Sequence, residues 1–598
     1  MNKALHIDHK HIKIVIKLRN TFLISSLLAF IFSCTEKPAV EESDWLTPFE
    51  KSKGTETFTY EEGIAYFMKL GEAYESFRVV EYGKTDSGYP LHVGIYSKES
   101  SFIPSDIKKK NVLLINNAIH PGEPDGVDAS MMLLRDMLQG KVNVENENTI
   151  VAVIPFYNIG GALNRNSSTR ANQEGPNEYG FRGNAKNLDL NRDFIKMDSE
   201  NMRSFAEIFH LYEPELFIDT HVSNGADYQH VLTYLATHEE KLGGEIGTFM
   251  KDKMNPFLEN EMKKEGWDIV PYVNVWGTTP DKGYVQFFDS PRYSSGYTAL
   301  FNTPSYVIET HMLKPYQQRT QATYDFLKKA IVFLEKHGDE LSKAKEAKFE
   351  ADQKANAIAI NWSIDSSKVD QIRFKGYEGS YKPSEVSGLS RLYYDRSKPY
   401  EKEIPFYSGL KVTKRETKPD FFIIPKAWGN VIAALEYNHI KMTKLEEDQT
   451  LTVDVKYIEN YKTVQHPYEG HYLHYDISTT AKVEEVLFRK GDYMVPTDQR
   501  RVRFLMETLT PEGKDSYFAW NYFDPILQQK EHFSSYVFED KAVTILKKNP
   551  ELKKALEQKK KEDEGFRNSA YQQLEFIYDH SDHKERSYLR YPIYKYNQ

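Results

Sequence analysis

His120 and Glu123 lie three positions apart in the stretch NAIHPGEPDG, Asn117 to Gly126. An imidazole and a carboxylate suit zinc, and a catalytic zinc takes three protein ligands while keeping a fourth position open. A third ligand must therefore come from elsewhere in the chain. The pair is not diagnostic alone, because the same spacing recurs at His466 and Glu469 in QHPYEGHYLH. What positions the residues decides whether chemistry is in prospect.

The segment NVLLINNAIH, Asn111 to His120, is a mostly apolar run that predicts a buried strand delivering His120 at its carboxyl end. Val127, Met131, Leu134 and Leu138 follow at helical spacing, and TIVAVIPFYN, Thr149 to Asn158, reads as another buried strand. Strand, loop, helix and strand predict an α/β fold, a mixed sheet covered by helices, with sites beyond the carboxyl ends of strands. Upstream, TYEEGIAYFMKLGEAY predicts a helix and FRVVEYGKTDSGYPLHVGIYS a hairpin. A long loop from Ile159 to about Asn187 leads into NLDLNRDF, a helix through SENMRSFAEIFHLY, and a short strand ELFIDTH ending at His221. PSYVIETHMLKPY supplies a further strand ending at Glu309, and a helix from about Gln317 to Ala351 closes the domain.

From Ile358 the pattern shifts to short Tyr-, Phe-, Ile- and Val-rich segments separated by turn residues, which predicts a mainly β accessory module, read as a sandwich. The expected divisions are a signal peptide at 1–33, a tether at 34–54, a catalytic domain at 55–350, the β module at 355–535 and a helical C-terminal segment at 536–598 with Pro550 as a break.

With 598 residues, 40% of them hydrophobic, the chain can bury more than one sizeable core. A formal net charge of -9 and the absence of a basic stripe with interleaved aromatics argue against a nucleic-acid partner. Lys17 and Arg19 precede the apolar run TFLISSLLAFIFS, which ends before Cys34, the single cysteine. Ile31, Phe32 and Ser33 before that cysteine resemble the lipobox of a bacterial lipoprotein. The resemblance implies lipidation of Cys34, export, and a lipid anchor to a bacterial cell-envelope membrane, periplasmic or surface-facing. An uncleaved anchor with an incidental cysteine is the alternative. Loss of residues 1–33, with five Lys or Arg and one Asp, would take the net charge from -9 to -13. Without further cysteines, the mature protein has neither disulfides nor thiolate ligands, so metal must be held by His and carboxylate.

In order and context, HPGEPDG, NLDLNRDF, FIDTH and YVIETHMLKPY resemble the zinc carboxypeptidase family, the carboxypeptidase A-like metallopeptidases, over roughly residues 55–345. The resemblance implies one Zn2+ per chain held by His120, Glu123 and His221, with Glu309 as general base toward a zinc-activated water. It implies that Asp189 orients the first zinc histidine, and that Asn191 and Arg192 clamp the free C-terminal carboxylate of a peptide substrate. Arg182 matches an arginine that stabilises the oxyanion, with Arg165 and Arg170 as competitors in the same loop. For the family's mobile tyrosine, Tyr293 and Tyr297 both stay open, and the specificity pocket falls between about Trp276 and Thr303.

The expected function is hydrolysis of the C-terminal peptide bond of peptides. One alternative is a zinc amidohydrolase acting on N-acyl amino acids or cell-wall peptides; another is a catalytically dead surface binding lipoprotein. His466, Glu469, His471 and His474 read as ordinary polar residues of the β module, since no companion motif follows them. His230 and His311 read as shaping the cleft. The aromatic run SYFAWNYFD, Ser516 to Asp524, reads as packed core or interdomain contact ahead of a glycan-binding face.

Overall fold

Nine strands run through the first part of the chain: β1 Phe77–Tyr82, β2 Leu91–Ser97, β3 Asn111–Asn116, β4 Thr149–Ile154, β5 Leu216–Ser223, β6 Leu232–Ala236, β7 Val270–Pro271, β8 Tyr284–Val285 and β9 Ser305–His311. All but β8 form one mixed sheet in the order β1-β2-β4-β3-β5-β9-β6-β7. Its centre, β4-β3-β5-β9, is parallel. Every residue of β3, β4 and β5 is buried, as the uninterrupted apolar runs require of strands covered on both faces.

Helix Glu200–Tyr212 starts at Ser199, whose side chain caps the Met202 N–H, and packs Phe205 and Phe209 in one cluster with Val112 and Leu114 of β3. The 39-residue helix Tyr316–Lys354 runs against helix Asp125–Leu138 and against β3 and β4. Arg319 of the long helix is fully buried and reaches Asp125 at 3.1 Å, joining the two helices beside the site.

This computed structural model describes residues 42–598; the leader at 1–33, Cys34 and the first part of the tether lie outside the described residues. Glu42–Trp45 form a 3-10 turn. No helix among the described residues is long and apolar enough to cross a membrane.

The accessory strands are β10 Ala357–Ile364, β11 Asp370–Pro383, β12 Ser390–Tyr407, β13 Leu410–Thr417, β14 Phe421–Ile424, β15 Thr443–Lys444, β16 Gln449–Thr463, β17 His474–Phe488, β18 Tyr493–Pro496 and β19 Tyr594–Tyr596. β10 pairs with β13, the long hairpin β11–β12 pairs with β8 of the catalytic part, and the remaining six order as β15-β18-β14-β19-β16-β17.

The expected sandwich changes here, while the helical C-terminal segment is found and gains a short final strand. In place of a sandwich, the six-stranded sheet packs on the catalytic part: Phe422 and Ile424 join a core shared with Phe209, Phe301 and the helices Gly429–Tyr437 and Val502–Leu509. Ile423, pointing the other way by strand alternation, joins Val453, Val455 and Phe488 in a smaller cluster. The C-terminal segment is helical only in part, because its last residues form β19 between β14 and β16. One continuous core crosses the expected division near residue 350, and Leu46–Gln598 is a single compact unit.

Candidate active site

After β3 the chain turns through Ala118, in the left-handed region at φ 56°, and presents His120. The turn is tied to the sheet by Asn117, which donates to Ser130 Oγ at 3.0 Å and accepts from Thr220 Oγ1 at 2.9 Å. Gly126 lets the following helix abut β5, since a Cβ there would fall 2.0 Å from Thr220 Oγ1. His221 and Glu309 face each other in register on the neighbouring parallel strands β5 and β9. Side-by-side strand ends thus bring together residues far apart in the chain.

His120, Glu123 and His221 are all buried and offer one ligand atom each within 4.8 Å of one another. The Nδ1 atoms of His120 and His221 are 3.2 Å apart, and Glu123 Oε2 lies 3.3 and 3.1 Å from them. On the far side of each ring, Nε2 meets a carboxylate: Asp189 Oδ1 at 2.9 Å for His120 and Asp219 Oδ2 at 3.1 Å for His221. An Nε2 proton given to a carboxylate leaves Nδ1 as a lone pair, so two lone pairs and a carboxylate oxygen converge on one point. That electron-rich triangle, built of nitrogen and oxygen donors only, fits zinc.

The surrounding charges match. Asp219 is held in turn by Ser294 Oγ at 2.5 Å and Asn116 Nδ2 at 3.4 Å. Burial works against the charge on His221, but Asp219 and Glu123 outweigh it and raise the imidazole pKa well above its ordinary value. Burial likewise works against the charge on Glu123, yet Arg170 and His120 hold its carboxyl well below the usual range. Arg170 reaches Glu123 Oε1 at 2.8 Å.

Glu309 lines the same cavity, of about 620 Å³, with Arg182, Asn191, Arg192, Tyr293 and Trp276. Burial, opposed by His221 and reinforced by Glu123, pushes its carboxyl up to about 8. A divalent cation among the ligands would draw it back down.

Arg182 spends Nε and Nη2 on Asp189 Oδ2 at 3.0 and 2.8 Å, and its Nη1 lies 3.3 Å from His120 Nδ1. Asn191 Nδ2 lies 3.4 Å from His221 Nε2, and Arg192 lies across the Tyr293 ring at 4.4 Å. Arg165, by contrast, is spent on the backbone carbonyls of Phe58 and Glu178. Cys34 lies outside the described residues.

The two candidate tyrosines differ in their surroundings. Tyr297 is fully buried, its hydroxyl bonded to Asn438 at 2.7 Å, whereas Tyr293 lines the cavity. His230 and His311 do not line it: they bond the backbone of Asp268 and Ala226, at 2.7 and 2.8 Å. Trp520 and its neighbours Tyr517 and Phe518 are packed core.

Sequence reasoning missed three groups. Asp219, two residues before His221 on the same strand face, carried a period-two signal that could have found it. Glu469, read as an ordinary β-module residue, and Tyr468, not singled out, reach the site: Tyr468 Oη accepts from Arg192 Nε at 2.9 Å and Glu469 Oε2 from the Asp189 N–H at 2.7 Å. Glu469 shares the metal-like spacing with His466, but the actual partners of Tyr468 and Glu469 lie more than two hundred residues upstream, so no local pattern marks them.

Residues 64–227 match the model of the zinc carboxypeptidase family, peptidase M14. The matched segment contains His120, Glu123, Asp189, Asn191, Arg192 and His221 and stops before Glu309. Carboxypeptidase 2 of Trichophyton rubrum is 20% identical over 496 residues, 78% of this chain and 85% of that protein. Carboxypeptidase 2 of Trichophyton tonsurans is 19% identical over 497 residues, with the same coverage of 78% and 85%. Among solved structures, a metallo-carboxypeptidase from Pseudomonas aeruginosa is 14% identical with a TM-score of 0.35, covering 48% of this chain and 70% of that one. Carboxypeptidase A from Helicoverpa armigera is 17% identical with a TM-score of 0.33, covering 48% and 74%. Residues 64–227 are thus similar to the zinc carboxypeptidase family and contain a buried His-Glu-His group able to bind a metal ion, which supports a metallocarboxypeptidase hydrolase as the enzyme class.

Proposed function

We propose that this enzyme removes the C-terminal residue of peptides, holding zinc with His120, Glu123 and His221 and using Glu309 as the general base. The observation that carries the reading is the convergence of three electron-rich ligand atoms in one cavity with an otherwise unpaired carboxylate, Glu309, and a guanidinium, Arg192. When bound, zinc supplies a Lewis acid that polarises a carbonyl and can bring the pKa of water to about 7. Asp189 and Asp219 hold the Nε2 protons, which keeps both Nδ1 lone pairs turned inward. Glu309 takes the proton of the attacking water and delivers it to the leaving amine, work worth roughly 10²- to 10⁴-fold in rate.

Arg192 and Asn191 receive the substrate carboxylate, and the span from that carboxylate to Glu309 selects the last peptide bond. Arg182, at the rim of the ligand triangle, presents its positive charge to the developing oxyanion. Leu235, Val307, Phe287 and Trp276 give the cavity an apolar wall for the terminal side chain. Lipidation at Cys34 and anchoring to a cell-envelope membrane belong to the same proposal, supported by the apolar run before that residue; loss of lipid labelling in Cys34→Ser tests it.

Changing Glu309 to Gln should lower kcat by roughly 10²- to 10⁴-fold while one zinc per chain stays bound. Near-full activity in that variant would sink the assigned base. Equal cleavage of free and C-terminally amidated peptides would favour the amidohydrolase alternative instead.

A further inference from the structure

The loop joining β16 to β17, residues 464–473, belongs to the accessory module but ends against the carboxylate clamp. Tyr468 and His471 bond each other's backbone at 2.7 and 3.1 Å around Glu469 and Gly470, both in the left-handed region at φ 49° and 80°. The tight turn this makes is held from three sides. Tyr468 stacks on Trp520 with ring centroids 6.1 Å apart, His471 Nε2 lies 2.8 Å from Asp198 Oδ2, and Glu469 accepts from the Asp189 N–H at 2.7 Å. Trp520 is itself fully buried, so the platform under Tyr468 is rigid core.

The loop touches two guanidinium groups, Arg292, which lies over the Tyr468 ring at 5.5 Å, and Arg192. A guanidinium has five donors in a fixed fork. One, Arg192 Nε–H, goes to Tyr468 Oη at 2.9 Å, and one on Nη1 goes to the Asn191 carbonyl at 2.7 Å. The Tyr293 ring fixes the plane from below at 4.4 Å. With Nε pinned, the remaining Nη donors are left to the cavity that Arg192 lines.

We propose that Tyr468 is a positioning residue: through its hydroxyl on Arg192 Nε, the accessory module sets the fork for the substrate's free carboxylate. Selectivity for a free C-terminus is then a joint property of catalytic and accessory parts. The inference rests on the reading of Arg192 as the carboxylate clamp.

The test compares kcat and KM of the full-length zinc enzyme on one peptide with a free or an amidated C-terminus, in the unsubstituted protein, Tyr468→Phe, Arg192→Ala and the double variant. Phe keeps the stack on Trp520 and removes only the hydroxyl. Tyr468→Phe should lower the free-to-amidated ratio of kcat/KM about tenfold, mainly through KM, as loss of one hydrogen bond to a charged group would. Zinc content and Tm should stay unchanged. Arg192→Ala should lower the ratio further, and adding Tyr468→Phe to it should change nothing more. A Tyr468→Phe ratio within twofold of the unsubstituted protein, or effects that multiply in the double variant, would overturn the inference while leaving the clamp in place. No preference for the free C-terminus in the unsubstituted protein would overturn the clamp, and the inference with it.

Discussion

His120, Glu123 and His221 hang from the carboxyl ends of β3 and β5, strands whose every residue is buried in the main sheet. Arg192, in the same cavity, is held from outside that sheet by Tyr468 and Tyr293. One end of the cleft is thus a product of a single sheet, and the other exists only where two parts of the chain meet. A metal needs ligands fixed to a few tenths of an ångström, which parallel strand ends supply by register. The carboxylate clamp proposed for Arg192 needs a fork turned to one angle, which a contact from the accessory part can set.

The comparison breaks most completely at the metal end. His221→Ala should abolish zinc binding and reduce turnover to that of the chelator-treated enzyme, while circular dichroism stays native; retained stoichiometric zinc would show that the triangle is not the metal site.

The join between the two parts should be the next most costly place to cut. Arg292, just before Tyr293, is bonded to Asp515 by its N–H, Nε and Nη2 at 2.9, 2.8 and 2.7 Å and is buried. Asp515→Ala leaves that guanidinium buried without its carboxylate partner and should cost about 3–5 kcal/mol of stability, read as a fall in Tm or in denaturant midpoint. Unchanged zinc stoichiometry below the transition would sharpen the division between the two ends; loss of zinc would erase it.

A smaller effect belongs to the accessory module alone. Glu512 accepts from Lys414 at 2.8 Å, Lys456 at 2.9 Å and Thr479 at 2.6 Å. Burial opposes its charge, but Lys456 and Lys414 prevail and draw its pKa to about 2 from 4.5. A depressed folded-state pKa stabilises above the unfolded value and is lost as pH falls through the folded one. Glu512→Gln should therefore cost about 3 kcal/mol at neutral pH, and the gap from the unsubstituted protein should close between pH 4.5 and 2. A gap independent of pH would assign the loss to packing.

The same contrast explains what could be read from the sequence. The main sheet announced itself in apolar runs that end on His120, His221 and Glu309, because a strand's burial and its terminal residue are both local properties. Asp189 lies 69 residues beyond His120, and its place was accessible only through the family resemblance of NLDLNRDF. Tyr468 was not, since nothing in QHPYEGHYLH encodes that its partner is Arg192; only the packing of Trp520 and the turn at Gly470 bring them together. Tyr293 and Tyr297 were indistinguishable for a related reason: they flank a short helix start, and which one faces the cavity depends on the Asn438 and His210 side chains that claim the other. The final strand was hidden in a segment of charged helices because three residues carry no period.

That final strand, β19, occupies the slot between β14 and β16, and β16 carries the chain directly into the Tyr468 loop. For a polypeptide made from its N-terminus onward, the order of maturation follows from this. The metal ligands and Glu309 can assemble once the strands up to β9 have emerged, whereas the sheet that supports Tyr468 has an open seam until residues 594–596 arrive to fill it. The contact that holds Arg192 is therefore completed after the strands that carry the candidate metal ligands.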